Sequence, residues 1–500
     1  MTALTTTLTA ALSARTILIG WLLLPFLTAF LAAVLPPLAR WLALLCCLAT
    51  GAVAAAIQLG GLPPAFDLLG DYGVALQPDA FAAPFLLLNA LVCGAVVLDS
   101  WRRPMPGPFL LLMVLHGGLS SAFVVVDLIS LYVTLEVVGI SAFLLILSSR
   151  SERSMWVALR YLLIGNSVMT LFLIGAALVY LEQGSFRFEE VAGTSSIAAL
   201  ALLLVGLLTK SGLFLSGLWL PLTHAEAPAE VSALLSGVVV CAGIAPLLRL
   251  TSTVPALGEV ITIIGLASTV LGLLFALADT DAKRLLAWST LSQMGLVALA
   301  PVAGGIYALA HGLAKAALFL VARRFPSRAL QGWATRPLPA GVWWPLWIGS
   351  FSIVGVPPLA GYAAKSSLDG ALHGPLALAV TLLSVGTAAV YGRLWGAPLS
   401  REPQLELASD PGTDPSWSPG VLLLLLALVV LGVVALPWGP ALASATATAA
   451  LVLLGGWGLH RLLEWLRLRE RWRLPELERL SDLLGGIGVV GAGLLVILNR

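Results

Sequence analysis

The chain has 500 residues, of which 59% are hydrophobic and only 10% charged, with a formal net charge of +2 and a mean hydropathy of +1.00. A soluble globular domain carries about 25% charged residues. The composition therefore excludes an ordinary soluble enzyme, and the absence of a basic stretch excludes nucleic acid as a partner.

Apolar run follows apolar run, so the expected fold class is an all-α polytopic membrane protein. A membrane helix needs about 20 mostly apolar residues. On that ruler about 14–16 spans are expected, placed at 16–35, 38–58, 80–99, 108–126, 128–148, 155–181, 196–219, 229–250, 258–278, 284–301, 303–322, 341–370, 374–396, 419–436, 440–458 and 483–498. The first run, from Thr16 to about Val34, has no convincing cleavage site and reads as a retained helix. Lys and Arg mark cytoplasmic loops. Arg40, Arg102, Arg103, Arg150, Arg153, Lys283, Arg284, Arg323, Arg324, Arg328, Arg336, Arg393 and Arg401 fall on one side if the spans alternate. Asp67, Asp71, Asp79, Glu182, Glu189 and Glu190 fall on the other, so both termini are expected to face away from the cytoplasm. The loop His224–Glu230 is an acidic exception on the basic side.

Charges inside the spans carry the chemistry. A charge at the bilayer centre costs roughly 2.5–3.5 kcal/mol on insertion scales, and such residues usually face a bundle interior or a wet cavity. Glu136 lies nine residues beyond Asp127 in the fifth span, about 14 Å deep at 1.5 Å per residue. It reads as a path residue, or as a protonated glutamate bonded to a neighbouring hydroxyl. Lys210 in the seventh span is followed by Ser211, Gly212, Ser216, Gly217 and Pro221. Small and helix-breaking residues beside a buried charge predict a broken helix, the usual frame of a transport site; the alternative is a lysine that snorkels to the interface. His311 and Lys315 are four apart and share one helix face. That suits a proton relay as well as a satisfied core histidine. Lys365 follows Gly355-Val-Pro-Pro-Leu-Ala-Gly361, where adjacent prolines cannot continue a helix. A second break is expected there, or else a lysine at a helix end. Asp127, Arg160, Asp279, Asp281, Lys283 and Arg284 lie near span ends and read as anchors.

The remaining features are quieter. Cys46, Cys47, Cys93 and Cys241 show no C-x-x-C spacing, so no iron–sulfur cluster, zinc site or disulfide framework is expected. No dinucleotide or phosphate-binding glycine motif is present, and no cofactor is expected. The stretch Arg401–Pro419 reads as a cytoplasmic loop. Leu459–Leu480 mixes Arg461, Arg467, Arg469, Arg471 and Arg473 with Leu462, Leu463, Trp465, Leu466 and Trp472. It reads as a basic amphipathic helix along the interface, or as a solvated connector before a last span, Gly485–Leu498.

Several stretches occur together in a telling order: Asp127-Leu-Ile-Ser-Leu-Tyr-Val-Thr-Leu-Glu136, Leu208-Thr-Lys-Ser-Gly212, Trp219-Leu-Pro-Leu-Thr-His-Ala-Glu-Ala-Pro228 with Val231-Ser-Ala-Leu-Leu235, Asp281-Ala-Lys-Arg-Leu-Leu-Ala-Trp-Ser289, Ser292-Gln-Met-Gly295, His311-Gly-Leu-Ala-Lys315 and Gly355-Val-Pro-Pro-Leu-Ala-Gly-Tyr-Ala-Ala-Lys365. Over roughly 108–396 the chain resembles the antiporter-like proton-translocating subunits of respiratory complex I, membrane hydrogenases and Mrp-type cation/proton antiporters. Each motif alone is weak, but their order is specific. The resemblance implies two inverted five-helix repeats at 108–250 and 251–400, each with a discontinuous helix. They would follow N-terminal helices at 1–107 and precede a loop with C-terminal helices at 401–458 and the amphipathic helix with the last span at 459–500. It implies a proton path through Glu136, Lys210, His311, Lys315 and Lys365, with Asp127, His224, Ser236 and Cys241 as accessory candidates.

In one respect the chain departs from the family pattern. A lysine is expected on the eighth span near position 241, where this sequence has Val240-Cys241-Ala242. Water, Ser236 or the His311/Lys315 pair would have to bridge that gap, or the chain is a non-conducting member. The motif around His224 favours an Mrp-type cation/proton antiporter subunit, with a proton-pumping subunit of a complex I-like or hydrogenase-like assembly as the alternative. The implied partners are other membrane subunits, H⁺, Na⁺ or K⁺, and the lipid bilayer. The energy source would lie in those partner subunits, since no redox or nucleotide site is visible. The implied setting is the bacterial inner membrane, or a thylakoid membrane in a photosynthetic source.

Overall fold

The computed structural model describes residues 2–60, 65–68, 74–101, 107–400, 417–436, 440–466 and 474–499, with backbone alone for 2–13, 440 and 441. Among the described residues the first helices are α1 (Thr2–Val34), α2 (Ala39–Gln58), α3 (Ala83–Asp99), α4 (Phe109–Val124), α5 (Leu128–Leu147) and α6 (Glu152–Gln183). The middle of the chain forms α7 (Ile197–Ser211), α8 (Trp219–Glu226), α9 (Ala229–Leu234), α10 (Cys241–Thr253), α11 (Leu257–Ala278), α12 (Ala282–Ala298) and α13 (Pro301–Ala322). The last part forms α14 (Ala340–Val354), α15 (Ala360–Ala371), α16 (Pro375–Gly392), α17 (Pro419–Val434), α18 (Pro440–Trp465) and α19 (Leu480–Leu498). A two-stranded ribbon, β1 (Phe66–Asp67) with β2 (Ala75–Leu76), is the one sheet among the described residues.

Every expected span coincides with a helix or an interrupted helix. Among the described residues ten helices are long and apolar enough to cross a membrane, eleven with the bent pair α7/α8, and α3, α4, α14 and α17 are shorter apolar helices. The protein is an integral membrane protein.

Both expected breaks are present. Gly212, at φ +69°, closes α7 in the left-handed region, and a short 3-10 turn, Phe214–Gly217, redirects the chain by 47° into α8. Gly355, at φ +93°, closes α14 before the two prolines. Glycine reaches this backbone without a side-chain clash. The eighth span holds an irregularity that hydropathy does not reveal: a π-helical turn, Leu235–Val239, between α9 and α10. Such turns often sit at functional sites.

Burial sorts the helices. The eighth span is wholly buried and α13 nearly so (94%), whereas α18 and α19 are mostly exposed. The two buried spans are those that carry Ser236, Cys241, His311 and Lys315, so these side chains are enclosed by protein rather than lipid. Small residues allow this closeness: a Cβ on Gly272 would come within 2.5 Å of the Ser292 amide, and one on Gly237 within 3.2 Å of the Gly312 carbonyl.

The anchors hold the two ends of the bundle. Asp127 caps α5 and Asp281 caps α12 through backbone N–H groups. Asp279 pairs with Arg284 at 2.9 Å, Lys283 donates to the Ala227 carbonyl at 2.7 Å, and Arg160 donates to the Glu478 carbonyl. The acidic exception in the sequence resolves here. Glu226 pairs with Arg153 and Arg328, and Glu230 pairs with Arg323, which also holds Asp99. The carboxylates are neutralised by arginines of the same end. Arg102, Arg103, Asp71 and residues 401–416 of the expected loop lie outside the described residues.

Only the two ends of the expected amphipathic segment 459–480 lie among the described residues. Leu459–Trp465 continues α18, with Leu463 buried on its inner face, rather than opening a separate amphipathic helix. Residues 474–478 are in neither helix nor strand, and Arg467, Arg469, Arg471, Trp472 and Arg473 lie outside the described residues.

At the opposite end Arg249 forks onto half-buried Asp79 at 2.8 and 2.6 Å. Burial by itself raises the Asp79 pKa. The Arg249 fork, the Ala82 amide and the Gln77 side chain outweigh it and hold the carboxyl below its usual value. A depressed carboxyl stabilises the fold above the unfolded pKa of about 3.9 and loses that contribution as pH falls through the folded value. Asp79→Asn is therefore expected to melt below the native chain at pH 7. The gap should close as acid titrates Asp79 in a thermal series.

Candidate functional site

The charges and hydroxyls inside the bundle fall into three groups. In the first the Lys210 ammonium lies 3.9 Å from Glu136 Oε1, an ion pair too long for a direct hydrogen bond. Lys210 stands in the last turn of α7, where the carbonyl end of the helix dipole favours a cation. Room for the ammonium is made by two glycines. A Cβ on Gly139 of α5 would reach 3.0 Å from Nζ, and one on Gly165 of α6 would reach 3.5 Å. The cavity beside it holds about 20 Å³ and is lined by Tyr161, Thr209, Trp219, Val239 and Ala242 among others. That is room for about one water molecule.

The second group rests on α12 and α13. Lys315 is fully buried and donates to the Leu286 carbonyl at 2.7 Å, with its ammonium 5.5 Å from the Tyr391 ring. Thr290 donates to the same carbonyl at 3.1 Å and is joined to Ser236 of the π-turn at 2.7 Å. Tyr391 is joined to Ser289 at 2.9 Å. Next to these, Tyr307 donates to Gln293, and Gln293 donates to Thr387 at 3.3 Å.

In the third group Lys365 of α15 donates to Ser384 of α16 at 3.0 Å. A Cβ on Gly355 would come 2.7 Å from the Lys365 stem, so the lysine folds back over the break. Lys365 opens into a cavity of about 240 Å³ with a hydroxyl-rich lining.

Other expected residues hold different positions. His311 and Lys315 share a helix but not a hydrogen bond. His311 faces a small cavity with Gln293, Tyr307 and Ser352, and both of its ring nitrogens lack a hydrogen-bond partner among the described residues. His224 is buried between the rings of Trp219 and Phe319, at 5.9 and 5.8 Å, and its ring nitrogens also lack a partner among the described residues. Asp127 lies at the span end as a helix cap. Cys241 is buried, its thiol turned to the Gly237 carbonyl at 3.8 Å. Among the described hydrogen bonds none joins Ser236 to Lys210. The gap lies where the family pattern places another lysine.

The order of these groups along the chain bears directly on kinship. Residues 126–389 match the family described as "NADH:quinone oxidoreductase/Mrp antiporter, TM", more than half of the chain. The chain belongs to this family. It is 28% identical over 381 residues to a Na(+)/H(+) antiporter subunit of Alkalihalophilus pseudofirmus, covering 67% of this chain and 76% of that relative. It is 31% identical over 337 residues to NADH-quinone oxidoreductase subunit N 2 of Rhizobium meliloti, covering 61% and 70%. In fold it is similar to a chain of the Mrp complex from a Dietzia species, with a TM-score of 0.71 at 21% identity over 96% of this chain and 98% of that one.

Several polar residues that touch these lysines or their neighbours were not singled out from sequence. Ser384, Thr387 and Tyr391 recur at helical spacing on one face of α16, a signal that was legible. Ser289, Thr290 and Gln293 on α12 give a similar hint. Gly139 and Gly165 offered none, because only the approach of three helices gives them their role.

Proposed function

We propose that this chain is a proton-translocating subunit of a multisubunit membrane complex, and that the complex is an Mrp-type monovalent cation/proton antiporter. The observation that carries the reading is the set of charges held inside the bundle: the Glu136–Lys210 pair, the fully buried Lys315 and Lys365 beside its break. In a low-dielectric interior such charges are costly unless they are used. The loose Glu136–Lys210 pair can tighten or part, and each movement changes the lysine's hold on its proton. Lys315, His311 and Lys365 then serve as successive sites, and the Tyr391, Ser289, Thr290 and Ser236 hydroxyls lie between them. The cavity beside Lys210 reaches Val239 and Ala242, on either side of Cys241. A water there bridges the missing lysine in this proposal. Residues 108–250 and 251–400 act as two antiporter-like repeats, each with one interrupted span, and the basic end of the bundle faces the cytoplasm.

Kinship with the Na(+)/H(+) antiporter relative of Alkalihalophilus pseudofirmus supports Mrp-type coupling, in which Na⁺ or K⁺ moves elsewhere in the complex. The likeness to NADH-quinone oxidoreductase subunit N 2 keeps a redox-coupled pump as the second reading. Everted vesicles carrying the complex and a pH-sensitive dye separate the two. Collapse of a preset pH gradient on adding Na⁺ or K⁺ is expected for the antiporter. Gradient formation on adding a quinone reductant would support the pump, and silence in both assays would mark a non-conducting subunit.

A further inference from the structure

The cavity beside Lys365 contains a carboxylate that the proton path above leaves unused. Asp369 follows Lys365 by four residues on α15, so the two share one helix face. Asp369 lies about 6 Å further along the axis, toward the end of the helix at Ala371. Both side chains line the same cavity, closed on its other sides by Thr381 and Ser384 of α16 and by Ser444 and Thr448 of α18. Lys365 is the more enclosed member and Asp369 the exposed one. The ammonium donates to Ser384 rather than to Asp369, which leaves the carboxylate free to exchange with water in the cavity. A volume of about 240 Å³ holds a chain of several waters.

We infer that Asp369 is the terminal proton carrier of this subunit, exchanging the Lys365 proton with the aqueous phase through the cavity that α16 and α18 wall off. In the outward step one N–H bond of the Lys365 ammonium breaks and the proton passes through a bridging water to an Asp369 oxygen. The neutral amine remains, and the carboxylic acid then releases the proton to bulk water. The reverse sequence loads Lys365. The inference rests on the proton-translocating reading and assigns it a mouth.

The test uses the assembled complex in vesicles. The native cysteines Cys46, Cys47, Cys93 and Cys241 are all buried, so an introduced thiol at position 369 is the accessible target. Asp369→Asn and Asp369→Cys are each expected to cut cation-driven proton flux about 100-fold, the modest end of what a lost proton-transfer group costs, while Asp369→Glu retains it. Treating Asp369→Cys with iodoacetate, which leaves an S-carboxymethyl group and releases iodide, restores a carboxyl that can bind and release a proton and is expected to recover most of the flux. A sulfonate-bearing thiosulfonate, which installs a negative charge that cannot hold a proton, is expected to recover little. Native flux in Asp369→Asn, or equal effects of the two reagents, overturns the inference. Lys365→Ala, run in parallel, separates the levels: its loss of flux beside an active Asp369→Asn leaves the path standing without this mouth. Native flux in both overturns the path itself.

Discussion

Lys210→Ala is expected to lower cation-driven proton flux by about 100-fold or more, the ordinary cost of deleting a proton-transfer group, with the complex still assembled. The ammonium is the only cation within ion-pair distance of Glu136 among the described residues, and two glycines are spent on giving it space. Removing one partner of a buried pair strands the other charge and costs about 3–5 kcal/mol. The pair here is loose, at 3.9 Å, so the cost should fall short of that. The double change Glu136→Gln with Lys210→Met strands no charge, and it is expected to assemble as well as the native chain while conducting nothing. Lys210→Arg sharpens the point. A guanidinium keeps the charge but does not release its proton in proteins, so it is expected to fail as well. Flux through the arginine variant would show that position 210 supplies a fixed charge only. The measurement is dye-reported flux in vesicles, normalised to complex recovered with its partner subunits.

Gly361→Val is expected to be the most damaging single change to the fold. A Cβ at this position would overlap the Ser352 carbonyl oxygen and its carbon, which are backbone atoms of α14 and cannot swing aside. The Gly361 amide also donates to the Ser352 hydroxyl at 3.2 Å, so the contact is a hydrogen-bonded seat as well as a close approach. Overpacking usually costs about 1–3 kcal/mol, and against a backbone that cannot move the cost should reach about 3 kcal/mol or more. The measurable result is loss of the chain from the membrane fraction, or a lowered melting temperature in detergent. Gly370→Ala on the same helix is the control. Nothing lies within 4 Å of its added Cβ, and exchanging glycine for alanine inside a helix should gain up to about 1 kcal/mol.

Much of the candidate site was legible before any contact was known. Glu136, Lys210, Lys315 and Lys365 announced themselves because an ionisable side chain in a lipid-length apolar run is expensive. The breaks at Gly212 and at Gly355 with its prolines were readable because both residue types act on the backbone where they stand. His311 and Lys315 were read as a pair from their spacing, yet each turns to different neighbours. Spacing fixes a helix face, not what packs on it. Basic residues among leucines suit a helix lying on the membrane as well as the end of a spanning one. The seating of Leu463 in the core assigns Leu459–Trp465 to α18, while the arginines from Arg467 to Arg473 lie outside the described residues.

The sequence by itself determined the membrane class, the helical runs, the two interruptions and the identity of the buried charges. Each of these follows from local properties: transfer cost per residue, span length, and the backbone limits of glycine and proline. Tertiary structure alone decided that Lys210 meets Glu136 across a gap of 3.9 Å, that Lys315 seats on the Leu286 carbonyl, and that a π-turn brings Ser236 to Thr290. It also decided that the Cys241 thiol turns to the Gly237 carbonyl of its own span. The contacts between helices depend on how closely glycine-bearing helices approach one another, a property of pairs of distant segments that no single stretch of chain encodes.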